Sequence, residues 1–386
     1  MPGGRRLKMG LLIAAAALLF GYGTAYLASD DVRYLSRAGI EETRILAGRT
    51  PIRRLANDPK TPAALRAQAK LVLDVRAFAA SLGLDAGETY TSYSDVGRDT
   101  LLLVLTASPR TCICPVTWRY PVAGRVPYKG FFNFDAARTM AQDYAAQGYD
   151  VNLRPSAAFS TLGWFNDPLL STALTSDTLE LATTVFHEIS HNTLWVKGAT
   201  DFNESFAQWV AYRAAEAFFM ARHDTALSRR ASARWQDEQT LGKYYQLLVG
   251  RLDSLYALKL SPAQNDAGRS VIAHWSKDTL ALGFGPLMKT YSIGQGVERP
   301  INNAALIGVR LYRTNLDQFD EWGHRSGDNL DVAVRKLKNL VKTDQGPQAF
   351  VRMREYLERT TPEGSSSFAS LRMRVKTEAK TFREYE

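Results

Sequence analysis

The spacing of hydrophobic and polar positions divides the chain into regions of different secondary structure. Residues 30–87 repeat apolar side chains every three or four positions, most regularly over residues 65–77, and this spacing predicts amphipathic helices. Residues 88–222 alternate short apolar runs with helical stretches, which predicts strands and helices in succession. Residues 223–386 return to helical spacing. We therefore predict an α+β fold, in which a small mixed β-sheet is flanked by mostly helical N- and C-terminal regions.

The middle region contains the predicted sheet. Residues 101–105 form a continuous apolar run that is typical of a buried strand, and residues 149–153 and 157–162 are the next predicted strands. Residues 134–147 have helical spacing and are followed by a glycine, which favours a helix end. A further helix is predicted at residues 176–196. We expect the sheet to pack against one face of that last helix.

An uncharged apolar segment lies within residues 1–29. Positions 9–29 carry no charged side chain, and three basic residues stand just before them. The segment suits a cleaved export signal, with small residues at positions 23–25 near the cut, and it equally suits an uncleaved anchor that crosses a bilayer once. Basic residues ahead of such a segment direct the remainder of the chain out of the cytoplasm. We therefore predict an exported or membrane-anchored protein.

Residues 185–191 read Val-Phe-His-Glu-Ile-Ser-His and contain the pattern H-E-x-x-H. His187 and His191 are four residues apart, so on a helix their imidazoles lie on one face and can bind the same metal ion. Glu188 is then placed to address a water molecule on that ion. The pattern predicts a zinc site. The competing interpretation, a buried helix with two core histidines, does not account for the Asn-Glu-Ser-Phe-Ala sequence that follows.

A catalytic zinc ion needs three protein ligands and one open position, so a third ligand must come from elsewhere in the chain. Glu204 is the preferred candidate, because residues 197–200 supply a turn and the following helix would hold the carboxylate rigidly against the first helix. Asp201 is the competing candidate, and it could instead accept an imidazole N–H. Two histidines from one helix and a glutamate from the next make a gluzincin-like arrangement.

Four segments give the chain a resemblance to a known family: residues 128–132, 160–172, 187–191 and 202–207. In these segments it resembles the putative aminopeptidase family of Gram-negative bacteria, whose members are commonly exported or membrane-associated. The resemblance implies a zinc-dependent peptidase with a peptide substrate, located in the bacterial periplasm and anchored to the inner membrane if the apolar segment is retained. The site residues that it implies are the Zn²⁺ ligands His187, His191 and Glu204 and the catalytic base Glu188.

The segment that precedes the metal helix is a candidate for substrate binding. In zinc peptidases of this type an edge strand pairs with the substrate backbone. Gly163 would permit close approach of a peptide, and Trp164 could line a subsite, with a core position for Trp164 as the alternative. Asn203 could orient the substrate or hold the third ligand. The predicted substrate-binding residues are Ser160, Thr161, Gly163, Trp164 and Asn203.

The predicted chemistry is metal-assisted hydrolysis of a peptide bond. Zn²⁺ would lower the pKa of its bound water and polarise the scissile carbonyl, while Glu188 transfers the water proton to the leaving amine. The developing oxyanion needs a further donor, for which Tyr312 is the candidate; a helix-surface or core role for Tyr312 is the alternative. Two other functions stay open, namely hydrolysis of a cell-wall or small-molecule amide, and a non-catalytic membrane-tethered interaction protein with structural zinc.

Composition and charge add little to this interpretation. Of the 386 residues 45% are hydrophobic, which is ordinary for a globular protein. The net charge of +9 is spread along the chain without an aromatic and basic recognition motif, so we predict no nucleic-acid partner. In a strand Cys112 and Cys114 would point to opposite faces, which disfavours a disulfide between them. We therefore expect two packed or free thiols in a local turn, although export would allow a disulfide. No feature of the sequence indicates an oligomeric state.

Overall fold

The computed structural model describes residues 3–120, 124–156, 168–293 and 300–360. The chain begins with helix α1, Gly3–Ala28, and helix α2, Asp30–Ala47, which Ser29 joins and caps. Within the described residues, one helical segment is long and apolar enough to cross a membrane, Lys8–Ala28, and none of its hydrophobic window is buried. This segment is compatible with a signal peptide or an anchor.

Two helices of the N-terminal region follow, α3 at Ile52–Asn57 and α4 at Ala63–Ser81. Helix α4 begins directly after Pro62, whose fixed φ angle suits a helix start. Its buried side chains are Ala69, Val72, Val75 and Ala79. The predicted helix in this region is therefore confirmed, and Gly83 at φ +74° lets the chain turn away after its last turn.

Within the described residues the strands form three small sheets. The central sheet is antiparallel in the order β6–β3–β7, the second is mixed in the order β1–β2–β8, and β4 pairs with β5. Helix α5, Phe134–Ala146, packs on the central sheet. The strands are β1 Thr50–Pro51, β2 Ser92–Ser94, β3 Leu102–Ser108, β4 Trp118–Tyr120, β5 Gly124–Val126, β6 Lys129–Phe131, β7 Asp150–Ser156 and β8 Leu169–Leu170.

The remainder of the described chain is helical, as the spacing of its apolar residues predicted. Asn302 caps a helix by accepting a hydrogen bond from the backbone N–H of Ala305, at 3.1 Å. A π-helical segment at Thr279–Phe284 interrupts the helical run after α9. The helices are α6 Thr178–Thr193, α7 Thr200–Ala221, α8 Thr225–Ala257, α9 Pro262–Asp278, α10 Asn303–Tyr312, α11 Leu316–Arg325, α12 Leu330–Leu340 and α13 Gln348–Arg359.

The α+β class is confirmed, but the neighbours of the predicted metal helix differ from those expected. We expected a sheet on one face of this helix, α6; its main neighbours are α4 and α7. Phe186 on α6, Phe78 on α4 and Phe218 on α7 form a cluster of aromatic rings with centroids 5.4–6.3 Å apart. A single hydrophobic core therefore joins the metal helix to helices from both ends of the chain.

The two cysteines form a disulfide, so the expectation of free thiols is wrong. They lie in a bend after β3 instead of in a strand, and the bend brings their Cα atoms to 5.3 Å. Ser108 stabilises the bend, because its hydroxyl lies 3.0 Å from the carbonyl oxygens of both Cys112 and Cys114. Side-chain alternation in a strand, on which the expectation relied, does not apply in such a bend.

Candidate metal centre

Helix α6 positions the two histidines. Its first turn is capped by Asp177, whose side chain accepts hydrogen bonds from the backbone N–H groups of Leu179 and Glu180 at 3.0 and 3.2 Å. A hydrogen-bonded ion pair with Arg230 of α8 lowers the pKa of Asp177 and ties this cap to the core. Since the opposite face of α6 is buried, the imidazoles of His187 and His191 are held on its other face, where they are 14% and 18% exposed.

The connection between α6 and α7 brings the third candidate ligand to the histidines. Gly198 adopts φ +73°, which reverses the chain before α7 begins at Thr200. Asn203 is fully buried and bonds the backbone of Val196 twice, accepting from its N–H and donating to its carbonyl, both at 2.9 Å. These two hydrogen bonds fix the first turn of α7 and therefore the position of Glu204.

The three predicted ligands converge. The His187 Nε2 atom lies 3.2 Å from His191 Nε2 and 3.2 Å from Glu204 Oε2, and His191 Nε2 lies 3.8 Å from the same oxygen. The circle through these three atoms has a radius of about 2.0 Å, which is the length of Zn–N and Zn–O bonds. Within the described ranges these residues form the one group of donors with the spacing of a metal site. The donor set and its geometry fit a zinc ion.

The protonation states of the three groups also suit a metal. Burial and, to a lesser extent, the neighbouring His187 lower the pKa of His191 to about 4, although Glu204 acts in the opposite direction. Burial would raise the pKa of Glu204, but the two histidines outweigh that effect and lower it. Burial would lower the pKa of His187, but Glu204 and Glu188 raise it overall. At neutral pH the site therefore offers an ionised carboxylate and a neutral imidazole, and protonation of His187 competes with metal binding.

Tyr312 ends helix α10 beside the metal-binding group. Its ring centroid is 6.3 Å from that of His187, and 37% of its surface is exposed. Desolvation raises the pKa of Tyr312 well above its ordinary value, and the negative charges of Glu204 and Glu188 act in the same direction. The phenol is therefore protonated at neutral pH and can donate a hydrogen bond beside His187. The structure brings Tyr312 and Glu188 to the same site as the three candidate ligands.

Three further side chains lie at the site and were not predicted. Desolvation raises the pKa of Tyr128, which lies just before β6, and the negative charge of the nearby Glu204 raises the pKa of Tyr128 as well. Arg154 on β7 is near both tyrosines, where its positive charge opposes these shifts. Trp195 is 59% exposed, with its ring centroid 5.4 Å from that of His191. Tyr128 opens one of the segments behind the family resemblance, and this was the available signal for it.

The remaining predicted residues have different placements. Asp201, the competing third ligand, accepts a hydrogen bond from the backbone N–H of Phe202 at 2.9 Å and is not part of the converging group. Asn203 is buried with both polar atoms bonded to Val196, so it holds the ligand helix. The predicted strand at 157–162 and the residues Ser160, Thr161, Gly163 and Trp164 lie outside the described residues.

Comparison with known proteins supports the interpretation of the site as that of a peptidase. The sequence model of a family described as "Putative aminopeptidase" matches residues 33–349, which include every residue of the candidate site. No curated protein and no solved structure matches the chain significantly. Because the family model spans most of the sequence, the chain belongs to the putative aminopeptidase family.

Proposed function

We propose that the protein is an exported or membrane-anchored zinc metallopeptidase that acts as an aminopeptidase. The observation that carries the proposal is the convergence of His187, His191 and Glu204 on a circle of about 2.0 Å radius, with Glu188 next to the first ligand on the same helix. Metal-assisted hydrolysis of a peptide bond needs such an ion and an adjacent carboxylate that acts as base. Family membership supports the assignment to peptide hydrolysis.

In the proposed mechanism each side chain has a separate task. The two histidines and Glu204 hold the zinc ion, which when bound acidifies a water molecule and polarises the scissile carbonyl. Glu188 accepts a proton from the attacking water and then donates it to the leaving amine. Tyr312, kept protonated by its surroundings, donates a hydrogen bond to the carbonyl oxygen as negative charge develops there.

The two unpredicted polar residues extend this arrangement. Tyr128 is held protonated by desolvation and by the charge of Glu204, so it can serve as a second donor to the same oxygen. Arg154 carries a positive charge next to both phenols and would attract a negatively charged group of the substrate or transition state. Trp195 supplies an exposed aromatic surface beside His191 for an apolar side chain of the peptide.

The proposed location is the bacterial periplasm, with α1 as signal or anchor. The apolar segment Lys8–Ala28 is unburied, and the family match begins after it, at residue 33. N-terminal sequencing of the mature protein tests this part of the proposal. A start at Tyr26 indicates cleavage after the small residues at positions 23–25, and an intact α1 indicates an anchor.

The function is tested with the purified, zinc-loaded protein and a mixed peptide library. We expect loss of residues from the amino ends, abolished by a chelator and restored by zinc. The variant Glu188→Gln should retain zinc at wild-type stoichiometry and lose nearly all turnover, because it keeps the ligands and removes the base. Wild-type turnover by Glu188→Gln would refute the mechanism. Internal cuts would indicate an endopeptidase, and hydrolysis of cell-wall amides without peptide cleavage would replace the peptidase assignment.

A further inference from the structure

Arg154 is an unpaired positive charge at the edge of the central sheet. It lies near the end of β7, an outer strand in the order β6–β3–β7, and it is exposed. Among the described residues no ion pair and no hydrogen bond involves its guanidinium. Two other arginines, Arg110 and Arg269, pair with Asp150 of the same strand at 3.2 and 2.6 Å. Arg154 is therefore available to bind a group that comes from outside the chain.

The register of the central sheet determines the face on which Arg154 lies. Arg154 is paired with Val104 of β3, and Val104 is paired with Gly130 of β6. Directly paired residues of an antiparallel sheet point to the same face, so Arg154 shares a face with Val104. Helix α5 covers the opposite face, where Ala137 packs with Leu105, the neighbour of Val104 in the strand. Arg154 therefore lies on the face that is turned away from α5.

Helix α10 packs against β3 and β7, and it lies on the face of Arg154 because α5 covers the other face. The helix and the strand share one anchor: Asp150, the first residue of β7, accepts a hydrogen bond at 2.8 Å from the backbone N–H of Asn303, the first residue of α10. Tyr312, nine residues after Asn303, lies about 13.5 Å along the helix. Arg154, four residues after Asp150, lies about 13 Å along the strand. Two elements of equal length from one anchor bring Tyr312 and Arg154 to the same end.

That end of α10 adjoins the candidate metal centre. Helix α10 also packs against α7, the helix that carries Glu204, and the Tyr312 ring centroid is 6.3 Å from that of His187. The electrostatics agree with this placement. The positive charge of Arg154 lowers the pKa of both Tyr312 and Tyr128, whereas the negative charge of Glu204 raises the pKa of the same two phenols. Arg154 therefore lies on the side of the candidate metal centre that faces the sheet.

The charges of the site indicate which substrate group Arg154 selects. Glu188 and Glu204 contribute two negative charges, which a zinc ion balances when it is bound, so the guanidinium of Arg154 is left as an excess positive charge. A guanidinium binds a carboxylate through two parallel hydrogen bonds, and these are stronger than hydrogen bonds between neutral groups. We propose that Arg154 binds a carboxylate of the substrate, carried by a residue that adjoins the scissile bond. This inference rests on the proposed peptidase function and adds the class of peptide that the site prefers.

A peptide offers such a carboxylate from two sources. One is the side chain of an aspartate or glutamate on either side of the scissile bond, and the other is the terminal α-carboxylate of a dipeptide. Both present two oxygens and one negative charge to the guanidinium. Glutamine and an amidated carboxyl end have nearly the same size and carry no charge. Matched pairs of charged and neutral peptides therefore isolate the contribution of Arg154 and identify the source of the carboxylate.

The preference is measured as kcat/KM of the zinc-loaded protein on two kinds of matched pair. Peptides with glutamate or glutamine at the first or second position test the side chain, and dipeptides with a free or amidated carboxyl end test the α-carboxylate. We expect the wild type to prefer the charged member of at least one pair by about tenfold, the value of a hydrogen bond to a charged group. Arg154→Ala should lose this preference through a raised KM for the charged member, with kcat on the neutral member unchanged. Arg154→Glu should prefer a peptide with lysine at the same position.

Binding is measured apart from turnover by calorimetric titration of the same pairs into zinc-loaded Glu188→Gln, with and without Arg154→Ala. Only the protein that keeps Arg154 should bind the charged member about tenfold more tightly. Arg138→Glu is the matched control, because Arg138 is 58% exposed on α5, over the opposite face of the sheet, and the substitution changes the net charge equally; it should preserve the preference.

Three results would overturn the carboxylate site. They are equal values for both members of every pair in the wild type, a preference that survives Arg154→Ala, and a loss of kcat on neutral peptides in Arg154→Ala, which would place the arginine in the chemical step. If the wild type hydrolyses no peptide, the peptidase proposal fails, while the titration still decides whether Arg154 binds the carboxylate.

Discussion

Replacement of Glu204 by aspartate tests the metal centre most directly, because it keeps the charge and moves only the ligand atom. The glutamate oxygen lies on the circle of about 2.0 Å radius through the three donor atoms. Aspartate is shorter by one carbon–carbon bond, so its oxygens are withdrawn by about 1.5 Å. That places them roughly 3 Å or more from the ion position, beyond the length of a zinc–oxygen bond.

Helix α7 cannot move to compensate. Its first turn is fixed by the two hydrogen bonds between Asn203 and Val196, and Phe202 and Phe206 are fully buried on either side of the ligand. Removing a hydrogen-bond partner of a zinc ligand typically costs 10- to 100-fold in affinity. Loss of a ligand itself should lower the zinc affinity at least as much as the upper value of that range, about 100-fold or 2.7 kcal/mol.

The assay is zinc affinity from competition with a chelator, together with metal stoichiometry of the purified variant. Glu204→Asp should lose at least about 100-fold in affinity and lose peptidase turnover in proportion. Asp201→Asn is the matched control on the same helix turn, and it should bind zinc like the wild type because Asp201 bonds only the backbone N–H of Phe202 in its described contacts. Wild-type zinc affinity in Glu204→Asp would refute the ligand assignment.

Three further predictions concern neighbouring residues. Tyr312→Phe should lower kcat by about 10²- to 10³-fold and retain zinc, and an unchanged kcat would remove Tyr312 from the mechanism. From pH 5 up to the raised pKa of His187, zinc binding displaces one proton, so zinc affinity should rise about tenfold per pH unit. Below the pKa of His191, near 4, a second proton is displaced and the affinity should change more steeply with pH. Chelator competition over this pH range measures the slope, and a slope of two protons above pH 5 would contradict the prediction. Phe202→Ala should destabilise the fold by about 3–5 kcal/mol in denaturant unfolding, because its ring packs against Phe319 and Phe350; a loss below about 0.5 kcal/mol would show that this packing is dispensable.

The helix that carries His187 and His191 and the position of Glu204 beside it could be predicted because they depend on local geometry. The helical repeat alone places His187 and His191 on one face, and the glycine at position 198 marks the reversal that returns the chain. The predicted helix at 176–196 is found at Thr178–Thr193. Glu204 is reached within 17 residues of His187, so short-range rules were sufficient to select it over Asp201.

The rest of the site depends on contacts between distant segments, which no local pattern encodes. Tyr128 and Arg154 lie on separate extended segments, and only the pairing of β3 with β6 and β7 brings these segments together. The packing of α6 between α4 and α7 likewise depends on how aromatic side chains from three helices fit together. The spacing of apolar residues predicts only that each helix has a buried face, and it does not predict which helix covers that face. The disulfide escaped prediction because the expectation relied on side-chain alternation in a strand, whereas the bend brings the two Cα atoms to 5.3 Å.

The position of Tyr312 follows from a buried charge at the other end of α10. Asp150, at the start of β7, accepts hydrogen bonds from Arg110 at 3.2 Å, from Arg269 at 2.6 Å and from the backbone N–H of Asn303 at 2.8 Å. A carboxylate that is only 7% exposed must keep such partners, because an unpaired buried charge costs several kcal/mol. The first turn of α10 is therefore fixed to the same strand that carries Arg154. Since α10 is a rigid helix of ten residues, about 15 Å long, this anchor sets where its last residue, Tyr312, meets the metal site.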